Sequence, residues 1–271
     1  MKKVFLFLFF FAALASVAVG QNANDWFVTR WVAPANGEIK FPAIGSGYTI
    51  RYVPINHITG APIGTMQTIS PASSGQVISG LTSGWTYRID AYGGTFNRFD
   101  FSFYYYNRQD IVRLEQWGTT QWATMSGAFF GCGNMDVTAT DVPDLSACQD
   151  ISDMFCNCTS LVNGNGSISG WQTANVTNMQ SMFGGAQAFN QPLSNWNTAN
   201  VTNMSQMFYR ATAFNQPLNW NTGNVTNMER MFSGATAFNQ PLNWNTANVT
   251  DMELMFQGAT SFNQPLDSFK I

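Results

Sequence analysis

The feature that most constrains this chain is a repeat. WQTANVTNMQSMFGGAQAFNQPLSN begins at Trp171, and near-copies begin at Trp196, Trp220 and Trp244, at steps of 25, 24 and 24 residues. A period in this range marks stacked units, each too small to bury its apolar face without its neighbours. In the copy from Trp196, the offsets of three, four and seven among Met204, Met207, Phe208 and Ala211 predict one stripe of a short helix. Thr177 with Gln180, Thr226 with Glu229 and Thr250 with Glu253 have capping-box spacing, from which Thr202 with Ser205 departs. Gly185, Gly234 and Gly258 stand where such a helix would close. The Phe-Asn-Gln-Pro-Leu segments from Phe189, Phe214, Phe238 and Phe262 predict a short returning strand.

The same spacing reaches upstream. Cys148, Ile151, Met154, Phe155, Cys158 and Leu161 reproduce the apolar offsets, and Trp122, Met125, Ala128, Phe129, Cys132 and Met135 do so again. The expectation is an α/β solenoid of about six rungs over 111–271, each a short helix plus a short strand, with first columns near 122, 148, 176, 201, 225 and 249. Its structural columns are Val176, Met179, Met204, Met207, Phe208, Met228, Phe232, Met252 and Phe256.

These columns, with AFFGCGNM at 128–135, MFCNCTSL at 154–161 and FNQPL followed by WNTANVTNM, resemble the BspA-like leucine-rich-repeat surface proteins of bacteria. The segment from Ile111 through EQWGTTQWATM to Asp144 is similar to the entry of such arrays, so the resemblance covers about 111–271. It implies a leucine-rich-repeat-like fold and a secreted or surface binding module, with no catalytic residue and no cofactor to carry over.

Ahead of the array, Lys2 and Lys3 precede an apolar run from Val4 to about Val19, and small residues lead to Gly20. This is the pattern of a secretory signal peptide over 1–20, and the run is shorter than the ~20 residues a membrane span needs. The expected mature chain is exported, with no transmembrane segment, and carries ten basic against fifteen acidic residues. Between Arg113 and Arg210 there is no Lys or Arg, which argues against a nucleic-acid partner for that stretch.

Residues 24–110 predict a β-sandwich-like domain. Trp26 to Val32, Glu38 to Phe41, Tyr48 to Val53, Met66 to Ile69, Gln76 to Ile78, Thr86 to Tyr92 and Phe99 to Tyr105 are short β-branched and aromatic runs punctuated by Gly and Pro. Leu81-Thr-Ser-Gly84-Trp-Thr-Tyr87 resembles a turn of fibronectin type III domains, and arrays of the resembled family often carry a PKD-like sandwich in front. The aromatic row Phe101 to Asn107 has two readings, a sugar-stacking surface or a strand at the junction with the first rung.

Chemistry-bearing candidates are few. His57 is the single histidine, in a turn-like Asn-His-Ile-Thr-Gly, which rules out multi-His metal sites. Asp141, Asp144, Asp150 and Asp153, with Asp136 nearby, are either a weak calcium-ligand set or a solvated edge, since no Asp-x-Asp-x-Asp loop is present. Cys132 and Cys158 share a column, as a disulfide or as buried free thiols, while Cys148 and Cys156 lie on other columns. Asn-Val-Thr at Asn175, Asn200, Asn224 and Asn248 is formally a glycosylation sequon whose Thr also suits a helix cap.

Copy-to-copy differences fall at Gln206, Tyr209, Arg210, Glu229, Arg230, Glu253 and Gln257, the candidate binding surface. The functional expectation is a non-enzymatic secreted or surface protein that binds a protein or mediates adhesion through its repeats. The alternative is a glycan-binding accessory using the aromatic N-terminal domain.

Overall fold

A computed structural model describes residues 23–102 and 107–270. The leader and the tyrosines at 104–106 lie outside the described residues.

Ten strands form in chain order: β1 (Phe27–Val32), β2 (Ile39–Lys40), β3 (Ala43–Ile44), β4 (Ser46–Ile55), β5 (Gln67–Ser73), β6 (Val77–Ile78), β7 (Thr86–Tyr92), β8 (Arg98–Phe99), β9 (Ile111–Gln116) and β10 (Asp136–Val137). One six-stranded sheet runs β10-β9-β1-β7-β4-β5, antiparallel except for the β10-β9 pair. The layer beneath it is two separate two-stranded ribbons, β2-β6 and β3-β8, so the expected sandwich lacks a continuous second sheet. Alternation along the strands sets the faces. Phe27, Trp31, Ile50 and Ile89 point inward and meet Phe41, Phe99 and Phe101. Because β9 pairs with β1, the sheet extends past residue 110, and one core runs on through Trp117 and Trp122 to Phe129.

The repeats stack in register, but not by the expected plan. No α-helix forms among the described residues; beyond β10 the copies are joined by isolated parallel bridges, Asp150 to Asn178 to Asn203 to Asn227 to Asp251, and one short 3-10 helix lies at Ser167–Gly170. The helix-per-rung α/β solenoid is therefore corrected, as is the strand at Phe-Asn-Gln-Pro-Leu, which buries Phe and Leu without joining a sheet. The reason is where the backbone N–H groups go. Those of Met179, Ser181, Phe183 and Gly185 donate to the Asn203, Ser205, Met207 and Tyr209 carbonyls of the next copy. The intervening Met182, Gly184 and Ala186 donate three residues back. A helix needs every N–H to reach four residues back within its own segment, and here every second one is committed to a neighbour.

Left-handed backbone recurs at the matching places, at Ser181, Gln206, Arg230 and Leu254 and again at Gly185, Arg210, Gly234 and Gly258. Each such residue ends one tight turn and begins another. Consecutive four-residue turns reproduce the offsets of three, four and seven that a helix would show, so the apolar columns are inside although the helix is not. The capping boxes are corrected for the same reason. Thr177, Thr202, Thr226 and Thr250 donate their hydroxyls to carbonyls of the preceding copy at 3.0 to 3.2 Å. The Asn or Asp that follows each Thr accepts the N–H two residues on, an Asx turn that starts the run of tight turns.

Inside, the aromatic side chains form three rows. Phe129, Phe155, Phe183, Phe208, Phe232 and Phe256 stack at 5.6 to 5.9 Å between ring centroids. Phe189, Phe214, Phe238 and Phe262 form a second row at 6.0 to 6.1 Å. Trp171, Trp196, Trp220 and Trp244 form the third, and the last three indoles donate to the carbonyls of Ile168, Leu193 and Leu218. Val176, Met179, Met204, Met207, Phe208, Met228 and Phe232 are fully buried, while Met252 and Phe256 of the last copy are half-buried.

Phe208→Ala removes a ring held between Phe183 and Phe232 and against Phe214. The expected loss is about 3–5 kcal/mol, read by denaturant unfolding. At Gly185 a methyl group would press onto the Asn157 side chain from a left-handed backbone position. Gly185→Ala is expected to cost at least about 1–2 kcal/mol in the same measurement.

Candidate binding surface

The inter-copy hydrogen bonds bring the variable positions together on one side of the array. Gln206 N–H donates to Glu229 O, Arg210 to Ser233, Arg230 to Glu253 and Gly234 to Gln257, at 2.7 to 2.9 Å. Each donor therefore bonds the residue that precedes its counterpart in the next copy. Arg210, Glu253 and Gln257 are exposed, and Gln206, Tyr209, Glu229 and Arg230 are half-buried. The Arg210 guanidinium lies over the Tyr209 ring at 5.1 Å from its centroid, and Arg230 donates to Glu229 at 2.6 Å. Gly234 leaves room for the Arg210 stem, since a Cβ there would stand 3.0 Å from Arg210 Cγ. An aromatic, two arginines and two carboxylates on a firm backbone make a surface of mixed charge rather than a pocket.

The invariant Asn-Val-Thr column is occupied with the array itself. Asn175, Asn200, Asn224 and Asn248 donate Nδ2 to carbonyls of the preceding copy at 2.6 to 2.9 Å. On another edge, Asn190, Asn215 and Asn239 accept through Oδ1 from the backbone N–H of Asn215, Asn239 and Asn263 at 2.9 Å.

The aspartates do not converge. Asp141 accepts from the N–H groups of Trp117 and Gly118, Asp144 from Ser146 and Asp150 from Ser152. Hydrogen bonds from the Ser146 side chain and then its backbone hold the Asp144 carboxyl below its ordinary range, while burial pushes Asp153 up. Among the described residues, no group of three His, Cys, Asp or Glu side chains is placed to hold a metal ion. His57 is exposed in the β4–β5 turn. Of the aromatic row, Phe101 is buried against Trp31 and Phe99, and residues 103–106 lie outside the described residues.

Cys132 and Cys158 are free thiols, buried in neighbouring copies, and Cys158 donates to the Phe129 carbonyl at 3.1 Å. Burial raises all four thiol pKa values, Cys148 to about 11 and Cys156 to about 12.

One group was not anticipated from the sequence. Arg88 of β7, Arg30 of β1 and Arg113 of β9 are direct cross-strand partners on the outer face of the sheet. Arg51 of β4 joins them and covers the Trp26 ring, which stacks on Tyr92. Asp90 is buried between Arg51 and Arg88, and burial raises its carboxyl above the ordinary range. The available signal was the i, i+2 pairing of Arg88 with Asp90, which puts both side chains on one face of a strand.

No helix of the described residues is long and apolar enough to cross a membrane. The family model described as Mycoplasma protein of unknown function, DUF285, matches residues 123–219 and 218–271. No curated protein and no solved structure matches. The expected BspA-like leucine-rich-repeat assignment is thereby corrected, because the matching family is a different one and the described rungs carry no α-helix.

The thiolate is the species that reacts with alkylating reagents, so a raised pKa lowers the reactive fraction at neutral pH. The native chain is expected to label at least ~100-fold more slowly than the unfolded chain. Mass spectrometry of all four cysteines checks this, and fast native labelling of Cys132 or Cys158 contradicts their burial.

Proposed function

The chain belongs to the DUF285 family, matched over more than half its length; the family description supplies no activity, and from the surface itself we propose a non-enzymatic protein-binding or adhesion module. The observation that carries this reading is the division of labour within the repeat. Positions that face the core or the Asn and Thr ladders stay nearly constant from copy to copy. The columns of Gln206 and Arg230, of Tyr209 and Gln257, of Arg210, and of Glu229 and Glu253 change residue type along the array, with Glu229 and Glu253 alike in the last two copies, and they share one side.

Tyr and Arg are among the residue types that most often dominate protein interfaces. A surface held by inter-copy backbone bonds also loses little conformational entropy on binding. The leader pattern, with Lys2 and Lys3 ahead of the apolar run, supports a secreted or cell-surface location. The partner is a protein at that surface. The glycan alternative drew on Phe101 to Asn107, and its test is binding to a glycan array.

The immobilised full-length chain should capture a protein from surface extracts of its source organism. Tyr209→Ala combined with Arg210→Ala is expected to weaken capture by at least about tenfold, or ~1.4 kcal/mol. Asn224→Ala, on the constant ladder, should leave capture unchanged. Capture indifferent to Tyr209 and Arg210, or glycan binding with no protein captured, speaks against the reading.

A further inference from the structure

We propose that the outer face of the six-stranded sheet is a second binding site, one that takes an acidic peptide segment of a partner protein. The site is remote in sequence from the variable repeat positions and does not rest on the reading of them.

The argument starts from a like-charged row. Arg88, Arg30 and Arg113 face one another across three adjacent strands, an arrangement that destabilises a sheet unless anions offset it. Within the protein the offset is incomplete. Glu115 pairs with Arg30, and Asp90 is shared by Arg88 at 2.7 Å and Arg51 at 3.1 Å. Arg113 is exposed and has no carboxylate partner among the described residues. Asp136 stands opposite it in register, but its Oδ1 already accepts the N–H groups of Val137, Val162 and Asn163 at 2.7 to 3.0 Å.

Beside this row lies an open groove of about 820 Å³ lined by Arg30, Arg113, His57, Trp85 and Ile63 among others, with Asp136 as its carboxylate. Two of the large apolar side chains left most open to water line it, Ile63 at 53% and Trp85 at 45% exposure. A cationic floor with an apolar wall calls for a ligand that carries both carboxylates and hydrocarbon. A bare phosphate leaves the wall unused. A peptide alternating acidic and aliphatic side chains satisfies both, with a carboxylate on the Arg113 fork and an aliphatic side chain against Trp85.

The probe is a labelled peptide alternating Glu and Leu, with a matched Gln–Leu peptide, titrated into the full-length chain and followed by fluorescence anisotropy. The Glu–Leu peptide is expected to bind at least about tenfold more tightly than the Gln–Leu peptide. Its binding should weaken at ~0.5 M salt. Arg113→Glu should weaken it by at least about tenfold and Trp85→Ala by several-fold. Both side chains are solvent-exposed, so thermal unfolding of the two variants should match the parent. Tyr209→Ala should leave this binding unchanged, which separates the site from the repeat surface.

Equal binding of the two peptides, or indifference to Arg113→Glu, overturns the proposal. So does tighter, Arg113-dependent binding of polygalacturonate or of DNA, or salt-sensitive self-association of the chain that Arg113→Glu abolishes.

Discussion

Along Met179–Gly185 and the matching stretches of the other copies, every second backbone N–H leaves its own segment and finishes on the next copy. That commitment determines almost everything else about residues 123–270. It forbids the intrasegment hydrogen bonds of a helix and fixes the register between copies to the residue. It also requires a left-handed residue every fourth position, so that the chain turns far enough for alternate N–H groups to point along the stacking direction. A buried backbone amide without a partner is costly. A copy displaced by one position would strand such groups along its whole length.

The side chains reinforce the same direction. Phenylalanine and tryptophan recur at fixed places, so stacking brings ring over ring at about the separation the backbone bonds impose. Thr and Asn hydroxyl and amide groups then link the edges, each to a carbonyl of the copy before. Polar residues that would be surface decoration elsewhere serve here as connections between copies. The side chains free to vary are those whose removal breaks no such connection, and these are Gln206, Tyr209, Arg210 and their counterparts.

Much of this was legible from spacing alone. The inward Met and Phe columns of the copies from Trp171 to Trp244 follow from a period of 24 or 25 residues. The helix was not, because Met204, Met207, Phe208 and Ala211 line up inward in a train of tight turns as well as on a helical stripe. What separates the two is the left-handed backbone at Gln206 and Arg210, and neither residue type announces it. Thr202 with Ser205 was the one sign that the capping pattern was incidental, since the copy lacking the box has the same geometry as the others. In the N-terminal part the strands were legible and their order was not. Arg30, Arg88 and Arg113 lie far apart in the chain, and only the pairing of β9 and β7 on either side of β1 makes them a row.

The step from Trp171 to Trp196 is one residue longer than the two that follow, with Ser194 as the added residue ahead of the tryptophan. Both rings nonetheless stack, 6.0 Å apart and 11° from parallel, on either side of that insertion. The outer return of the loop therefore tolerates slack that the inter-copy seam does not. A gene encoding such a chain is free to gain or lose whole units, and to let the return drift in length, without re-solving the interior. A change of surface chemistry then becomes a matter of shuffling tiles along a fixed track.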